Sequence, residues 1–353
     1  IQDPDNDRRA LSGSAGAVNA SKAIDSVLPA AVVDVNDLQL DPIPDQRYAN
    51  QALEPDVVLR TADGARTLVN GQDYALSYEN NVRAGTASVT IAGRGAYTGS
   101  RSATFEITPN LSNLVLVVRF QGDTSGDGDT GLNAPYASYR PETKWQALQE
   151  FYNNPEPKFT PAKNYFGISM RGFLYASSQG AVDTLSYFPQ SLGNGKVACI
   201  TLDRPRSYYD VFNGDFNLFN DTLEKFAQQY PDFDPKYLDP SGDGIIENVT
   251  IIPDVGTQAP IRGNALSPHK FNLGGHGLSV GSGASAKQVA NVNVNDTLTV
   301  AGTSSKVITH EFIHSLGIYD YYRKDEQVSG SKPVGYWDIM SDTGLFQPLA
   351  ITR

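Results

Sequence analysis

The sequence contains few cysteines, histidines, methionines and charged residues. Cys199 is the only cysteine among 353 residues, four histidines and two methionines are present, and 19% of the residues are charged. One cysteine cannot form an intrachain disulfide and excludes a cysteine-rich zinc site, so Cys199 is expected in the core. The net charge of −11 disfavours nucleic acid and anionic membrane surfaces as partners.

Long hydrophobic runs are also missing. No apolar stretch approaches the roughly 20 residues that a membrane-spanning helix needs, although hydrophobic residues make up 40% of the chain and can fill a large core. The chain begins with Ile1 and shows no signal peptide, which predicts a mature or trimmed product. Few lysines, no disulfides and many Asn, Gly, Thr and Tyr residues are typical of an exported bacterial protein, secreted or on the cell surface.

Three segments of different composition follow one another. Residues 1–36 are polar and then rich in alanine and valine, and they predict an N-terminal arm. Residues 37–109 alternate apolar and polar residues between Gly, Asn and Asp turns, a pattern typical of a small antiparallel β-sandwich. The stretch GQDYALSYENNVRAGTASVTIAGRGAYTGS (71–100) resembles the immunoglobulin-like repeats of bacterial surface proteins. This resemblance implies a spacer or binding module.

Residues 110–353 mix predicted strands and helices and indicate one α/β (α+β) domain, which a linker at 108–113 joins to the sandwich. Continuous apolar runs predict strands buried on both faces, and amphipathic patterns predict helices. These elements are the strands 114–120 and 247–253 and the helices 142–154 and 215–230. Asp215 is expected to cap the second helix.

Two of the four histidines lie in the stretch ITHEFIHSLGIYDYY (308–322). The surrounding residues 302–317 predict a helix that Thr303 or Ser304 caps at its start. Gly317 is expected to end the helix in a left-handed turn. Histidines four residues apart in such a helix project from one face, which suits a single zinc ion.

The motif extends to H-E-x-x-H-x-x-G-x-x-D. His310 and His314 are the first two predicted zinc ligands, and the turn at Gly317 lets Asp320 return towards the metal as the third. Glu311 is rotated away from the direction in which the two histidines project but stays beside the metal. It is predicted to act as general base on a zinc-bound water. An aspartate ligand leaves a lower net charge on zinc than three histidines do, so this water should be less acidic and depend more on the glutamate.

Other residues are candidates for the third ligand. His269 and His276 lie in a loop-rich stretch without a fixed spacing to the helix, and His269 is better explained as a cleft residue. Glu326 follows His314 too closely for the class that draws a glutamate from a separate helix. Asp320 is therefore preferred.

A methionine follows the zinc motif in GYWDIMSDTG (335–344), where Met340 lies among turn-forming residues. Zinc proteases of the metzincin class place a methionine in a tight turn below the zinc ligands. Met340 is therefore predicted as the Met-turn residue. The tyrosines close enough in sequence to assist a tetrahedral oxyanion are Tyr319, Tyr321, Tyr322 and Tyr336.

With these motifs, residues 110–353 resemble the immune inhibitor A-like M6 family of secreted bacterial zinc endopeptidases. The matching residues are His310, Glu311, His314, Gly317, Asp320 and Met340, with the segments NYFGISMRGFLY (164–175) and LSPHKFNL (266–273). The resemblance implies a metzincin-like fold, with zinc held by two histidines and an aspartate and with a catalytic glutamate. It also implies calcium ions that support the fold, and proteolysis outside the cell. The family continues past its Met-turn, whereas this chain stops at Arg353.

A calcium site is predicted in DPSGDGIIEN (239–248), where oxygen ligands alternate around a glycine turn. Its candidate ligands are Asp239, Ser241, Asp243 and Glu247. The stretch GDTSGDGDTG (122–131) repeats the pattern with Asp123, Asp127 and Asp129, but no apolar anchor follows it. It is equally well explained as an acidic loop.

The sequence as a whole favours a multidomain protein, an immunoglobulin-like sandwich followed by a metzincin-like zinc endopeptidase that acts on proteins or peptides. Attachment to a cell surface is expected through the sandwich or a part beyond Arg353. One alternative is an adhesin built on a degenerate protease fold, against which the intact Glu311 argues. The other is a zinc hydrolase of glycans or esters, against which the Met-turn and the family-like segments argue.

Overall fold

The computed structural model describes residues 32–122, 144–155, 169–189, 199–255, 258–296, 305–321 and 338–341. The chain divides into two compact units. The first contains residues up to Pro44, Glu54–Asn80 and Ala87–Phe105. The second contains Asp45–Leu53, Asn81–Thr86 and the residues from Glu106 onward.

The N-terminal region is rich in strands, as the alternating pattern predicts. Its described strands are β1 (Val33–Asp34), β2 (Gln39–Leu40), β3 (Gln46–Arg47), β4 (Leu59–Arg60), β5 (Tyr74–Glu79), β6 (Gly85–Gly93), β7 (Tyr97–Thr98) and β8 (Ser100–Thr108). Strands β5 and β6 pair antiparallel. Val89 and Ile91 alternate along β6 and are fully buried in the core of the first unit with Leu59. The immunoglobulin-like sandwich itself stays a prediction, and so do the domain boundaries.

The second unit mixes strands and helices. Its described strands after β8 are β9 (Leu111–Arg119), β10 (Thr184–Tyr187), β11 (Cys199–Thr201), β12 (Ile245–Ile246), β13 (Asn248–Pro253), β14 (His269–Asn272), β15 (Ser279–Val280), β16 (Lys287–Val289) and β17 (Asn291–Val294). Its described helices are α1 (Lys144–Asn153), α2 (Met170–Ser177), α3 (Arg206–Tyr209), α4 (Asp215–Gln229) and α5 (Ser305–Ser315). None of these helices is long and apolar enough to cross a membrane.

The largest sheet of the second unit has the strand order β10–β9–β13–β17–β14, and β11 pairs with the far end of β9. Its strands are parallel except β14, which runs antiparallel to β17. In the part of the chain that the structure describes, β14 is the end strand on that side. This arrangement confirms the α/β character that the sequence predicts.

Helices cover both faces of this sheet because its central strand is apolar on both sides. Leu114, Leu116 and Val118 point into the core that includes residues of α3 and α4. Val115 and Val117 point into the opposite core, which includes residues of α1, α2 and α5. The continuous apolar run at 114–120 therefore indicated a strand buried on both faces correctly.

Two local expectations were wrong. Asp215 does not cap α4: Gly214 occupies the cap position without a side-chain hydrogen bond, and Asp215 is the first helical residue. Its carboxylate lies 2.8 Å from Nε2 of His269 instead. The stretch predicted as a linker is mostly strand, because β8 continues to Thr108 and β9 begins at Leu111.

Candidate metal centre

Helix α5 carries the H-E-x-x-H motif on the face of the sheet that α1 and α2 also cover. Ile308, Phe312 and Ile313 are buried in that core and fix the rotation of the helix. The rings of His310 and His314, one turn apart, lie 4.7 Å from centroid to centroid.

The chain reverses directly after α5, as expected. Gly317 has a φ of +86°, a left-handed conformation that glycine adopts without steric cost. Its backbone N–H donates to the carbonyl of His314. The turn brings Asp320 back to the two histidines: its Oδ1 lies 3.1 Å from Nε2 of His310 and 3.2 Å from Nε2 of His314.

Hydrogen bonds on the far side of each imidazole define which nitrogen faces the centre. Nδ1 of His310 lies 2.9 Å from the carbonyl oxygen of Ile339, and Nδ1 of His314 lies 2.7 Å from that of Ile318. A carbonyl only accepts, so each Nδ1 carries a proton and donates it. In the neutral form of each ring, the lone pair of Nε2 then points towards Asp320.

These three atoms fit zinc. Two imidazole nitrogens and one carboxylate oxygen lie within 4.8 Å of one another, and they are the ligand types that zinc takes in catalytic sites. Backbone carbonyls that hold the second nitrogen of each ligand are the usual outer support of such sites. Among the described residues, no other group of three or more His, Cys, Asp or Glu side chains has this arrangement.

Burial and neighbouring charges shift the pKa values of His310 and Glu311. Burial alone would lower the pKa of His310, but the carboxylate of Asp320 and the nearby Glu311 outweigh it and raise that pKa. Burial raises the pKa of Glu311, and the neighbouring His310 and His314 oppose this effect without cancelling it. A raised pKa makes a glutamate a better acceptor of a proton that it later returns.

The end of α5 is anchored to the sheet through a buried polar layer. The hydroxyl of Ser315, the residue after His314, lies 2.9 Å from Oδ1 of Asn248 on β13 and 2.8 Å from Oδ1 of Asn293 on β17. Both asparagines are fully buried. The hydroxyl is thus held to the sheet, which fixes the height of His314 over it.

The segment around Met340 lies against the centre. Met340 is fully buried, and its N–H donates to Oδ1 of Asp338 at 2.7 Å, closing a tight turn. The turn contributes the Ile339 carbonyl that holds His310, and the Met340 carbonyl accepts from the N–H of Tyr321. Met340 thus lies where a Met-turn would support the ligands, while the metzincin-type fold stays a prediction.

A cavity of about 620 Å³ opens at the candidate ligands. Its lining residues are Pro268, His269, Lys270, Asn272, His310, Glu311, His314, Gly317, Ile318, Tyr319 and Asp320. One wall is therefore helix α5 and the turn after it, and the opposite wall is strand β14. Tyr319 is the most exposed aromatic residue of the lining, with 82% of its surface accessible.

The other predicted ligands are placed differently. His269 lines the cavity, but its Nδ1 lies 2.7 Å from the carbonyl of Ser267 and its Nε2 lies 2.8 Å from Asp215. Burial alone would lower the pKa of His269, but Asp215 and the Ser267 carbonyl raise it. His276 packs against the ring of Phe216 and does not line this cavity. Glu326, Tyr322 and Tyr336 lie outside the described residues.

The predicted calcium loop is closed by its own hydrogen bonds. Asp239 accepts from the hydroxyl of Ser241 and from the backbone N–H groups of Gly242, Asp243 and Gly244. The ammonium of Lys287 lies 2.8 Å from Oδ2 of the same carboxylate. Burial would raise the pKa of Asp239, but Lys287 and these N–H groups lower it to about 2.

Glu247 takes no part in these hydrogen bonds; burial, together with the nearby charges of Asp243 and Asp239, raises its pKa to about 7. Calcium at this loop stays a prediction. The prediction for the acidic stretch GDTSGDGDTG (122–131) has no counterpart in the structure, because Asp123, Asp127 and Asp129 lie outside the described residues.

Sequence reasoning expected His269 in the cleft, but it missed Lys270 on the same strand and the contact between His269 and Asp215. Lys270 and the pair of Asp215 with His269 belong to the cavity or its edge only because β14 runs antiparallel along β17. No spacing in the sequence reveals that neighbourhood. The unusual placement of a lysine within the stretch SPHKFNL was the only local signal.

One comparison with known families bears on this centre. Residues 223–347 match the family model described as the immune inhibitor A peptidase M6, catalytic domain. The match includes α5, the predicted ligands and Met340, and it supports a peptidase of the M6 family. That family implies a metal at the centre, and the metal it implies is zinc. Among curated proteins, no sequence matches the chain.

Proposed function

We propose that the chain is a secreted zinc endopeptidase, with His310, His314 and Asp320 as zinc ligands and Glu311 as general base. The observation that carries the proposal is the convergence of two Nε2 atoms and one carboxylate oxygen beside a buried glutamate. The family match over residues 223–347 supports peptides as the substrates.

The chemistry follows from the groups around the cavity. Zinc, when bound, supplies Lewis acidity that polarises a carbonyl and lowers the pKa of a water. Glu311 accepts the proton of the attacking water and later donates it to the leaving amine. Asp320 places a negative charge among the ligands, which lowers the charge available to acidify the water, so Glu311 bears more of the proton transfer.

Strand β14 offers a backbone template for a peptide. The N–H of Leu273 donates to the carbonyl of Ala290, and the register pairs His269 with Val294. Because hydrogen-bonded pairs alternate in an antiparallel ladder, the backbone groups of Lys270 and Asn272 point away from β17. An extended peptide can pair with these groups and pass in front of Glu311.

Extracellular location, calcium binding and attachment to a cell surface are further parts of this proposal. Location and attachment rest on composition and on the family resemblance. Calcium would have to displace the Lys287 ammonium from Asp239, and it would draw a negatively charged Glu247 into its ligand set.

The test compares hydrolysis of unfolded casein by the zinc-loaded chain and by its Glu311→Gln variant, with zinc content measured in both. We expect cleavage by the parent and a loss of about 10²–10⁴-fold in the variant, with the same zinc content. Equal cleavage by both proteins would contradict the role of Glu311. A zinc-loaded parent that cleaves esters or glycans but no peptide would identify another hydrolase, and one that cleaves nothing would favour a binding protein.

A further inference from the structure

Lys270 stands out among the residues that line the cavity. It lies on β14, opposite the helix that carries His310 and Glu311, and its side chain is partly buried. Among the described residues, no carboxylate lies within ion-pair distance of its ammonium. Two other lysines have a carboxylate partner: Lys287 has Asp239 at 2.8 Å and Lys225 has Asp203 at 2.6 Å.

The carboxylates in the same cavity do not neutralise this ammonium. Oδ1 of Asp320 lies between the Nε2 atoms of His310 and His314, at 3.1 and 3.2 Å. Glu311 is buried beside the same two histidines, which act on its charge. Lys270 therefore brings an uncompensated positive charge into the cleft of a chain whose net charge is −11.

An unpaired, partly buried ammonium is unfavourable on its own. Desolvation lowers the pKa of Lys270, and no nearby anion offsets this effect. Burying a charge costs free energy unless a partner compensates it. A carboxylate on a ligand would restore the lost interaction through a charge-assisted hydrogen bond.

The register of β14 places this charge along the path of a bound peptide. Lys270 pairs with Asn293 across the ladder, and its backbone groups point away from β17 because the neighbouring pairs are the hydrogen-bonded ones. A peptide that adds to this strand thus has its backbone and one of its side chains beside Lys270, close to Glu311.

We propose that Lys270 determines specificity by binding a carboxylate of the substrate, so that the enzyme selects acidic peptides. The inference rests on the proposed function. The carboxylate can come from an aspartate or glutamate side chain or from the C-terminus of the peptide, and these two sources give different cleavage patterns.

The experiment uses peptides taken from cleavage sites mapped in casein by mass spectrometry. Each peptide is made with Gln or Glu at the positions flanking the cleaved bond, and each is blocked at both ends. A third form carries Gln and a free C-terminal carboxylate. The readout is the ratio of kcat/KM between the acidic and the neutral peptide, measured for the parent chain, Lys270→Met and Lys270→Glu.

We expect the parent to prefer a carboxylate by about ten- to hundredfold, at one flanking position or in the free-acid form. The Lys270→Met variant should reduce this ratio to about one, and Lys270→Glu should reverse it. The matched control is Lys225→Met, which removes an ammonium paired with Asp203 at the surface and should keep the parent ratio. If a Lys270 variant fails to fold, the ratio of kcat/KM between acidic and neutral peptides in the parent chain still tests the proposed preference for a carboxylate.

A second readout separates this inference from the proposed function. The Glu311→Gln chain binds the same peptides without cutting them, and fluorescence anisotropy gives their affinities. Casein cleavage without any preference for a carboxylate would overturn the role of Lys270 and leave the peptidase intact. If no peptide is cleaved, the proposed function fails, and equal affinity for acidic and neutral peptides would then overturn the role of Lys270 as well.

Discussion

At the scale of single residues, the candidate centre depends on where the protons of His310 and His314 lie. Carbonyl groups of Ile339 and Ile318 hold both Nδ1 protons, which turns both Nε2 lone pairs towards Asp320. The histidine spacing and the glycine turn are local features, so the sequence predicts them well. The Ile318 carbonyl belongs to the local turn after α5, whereas the Ile339 carbonyl belongs to a separate segment that only the folded chain brings to His310.

Glu311 and the metal ligands should be separable by substitution. Replacing Glu311 with glutamine removes the proton acceptor and keeps all three ligand atoms, so kcat should fall by about 10²–10⁴-fold while zinc affinity changes little. The control is Glu224→Gln, at an exposed position of α4. Loss of zinc together with activity in the Glu311→Gln chain would assign the glutamate to metal binding instead.

Glu247 should make stability depend on pH in the absence of metal. Its pKa in the folded chain is raised from 4.5 to about 7, so between these values the folded state binds more protons than the unfolded state. Stability should therefore fall as the pH rises through this window, and Glu247→Gln should remove that part of the dependence. Thermal unfolding from pH 4.5 to 8 with a chelator measures it; identical curves for the two proteins would contradict the assignment.

Calcium gives a related prediction at the same loop. Calcium requires a deprotonated Glu247, so adding it at pH 8 should raise the melting temperature of the parent and not of the Glu247→Gln variant. A melting temperature that calcium leaves unchanged in the parent would reject the predicted site. The sequence suggested the loop, but it did not indicate that Lys287, far along the chain, places an ammonium on Asp239.

At the scale of elements, an ion cluster holds α2 to the segment before β10. Asp183 is fully buried and accepts from Arg171 at 2.7 Å and from Arg83 at 2.8 Å. Burial alone would raise the pKa of Asp183, but the two guanidinium groups lower it. Such a cluster is a strong constraint because each partner is costly to leave alone in the interior.

Removing this carboxylate should destabilise the second unit. Asp183→Asn leaves two guanidinium groups without their charge partner, so the free energy of unfolding should fall by about 3–5 kcal/mol. Asp203→Asn, which removes an exposed partner of Lys225, should cost less than about 1 kcal/mol. Urea unfolding at pH 7 compares them, and equal effects would contradict the importance of burial.

The same cluster predicts that the folded chain loses stability at acidic pH. The pKa of Asp183 is lower in the folded chain than in the unfolded chain. Its contribution to stability is therefore present at pH values above its unfolded-state pKa and is lost as the pH falls through its folded-state pKa. The Asp183→Asn chain should therefore lose less stability than the parent on acidification below about pH 4. Parallel acid titrations followed by circular dichroism would show this difference, and parallel losses would refute it.

Element boundaries show what pattern alone can predict. Strand β9 was predicted because burial on both faces requires a continuous apolar run, and α4 was predicted because burial of one face imposes a helical period on its apolar residues. The cap of α4 was predicted wrongly. Aspartate is a residue type that often caps helices, but the carboxylate of Asp215 lies beside His269 on β14. That contact depends on the register of a distant strand, which no local pattern encodes.

At the scale of the whole molecule, the sequence predicts a strand-rich region followed by an α/β region with a peptidase centre. The strand-rich region, the α/β region and the peptidase are supported by the structure and the family match. The identity of Lys270 as a cleft residue could not be predicted, since it follows from sheet order and from the antiparallel direction of β14. Specificity is therefore the part of the function that only the folded chain suggests.

The central claim is that His310, His314 and Asp320 hold one zinc ion. The most direct measurement is elemental analysis of the purified chain after zinc loading and dialysis, beside Asp320→Ala and the exposed-site control Asp232→Ala. We predict one zinc per chain in the parent and the control, and much less in Asp320→Ala. A parent that retains no zinc, or an Asp320→Ala chain that retains as much as the parent, would contradict the claim.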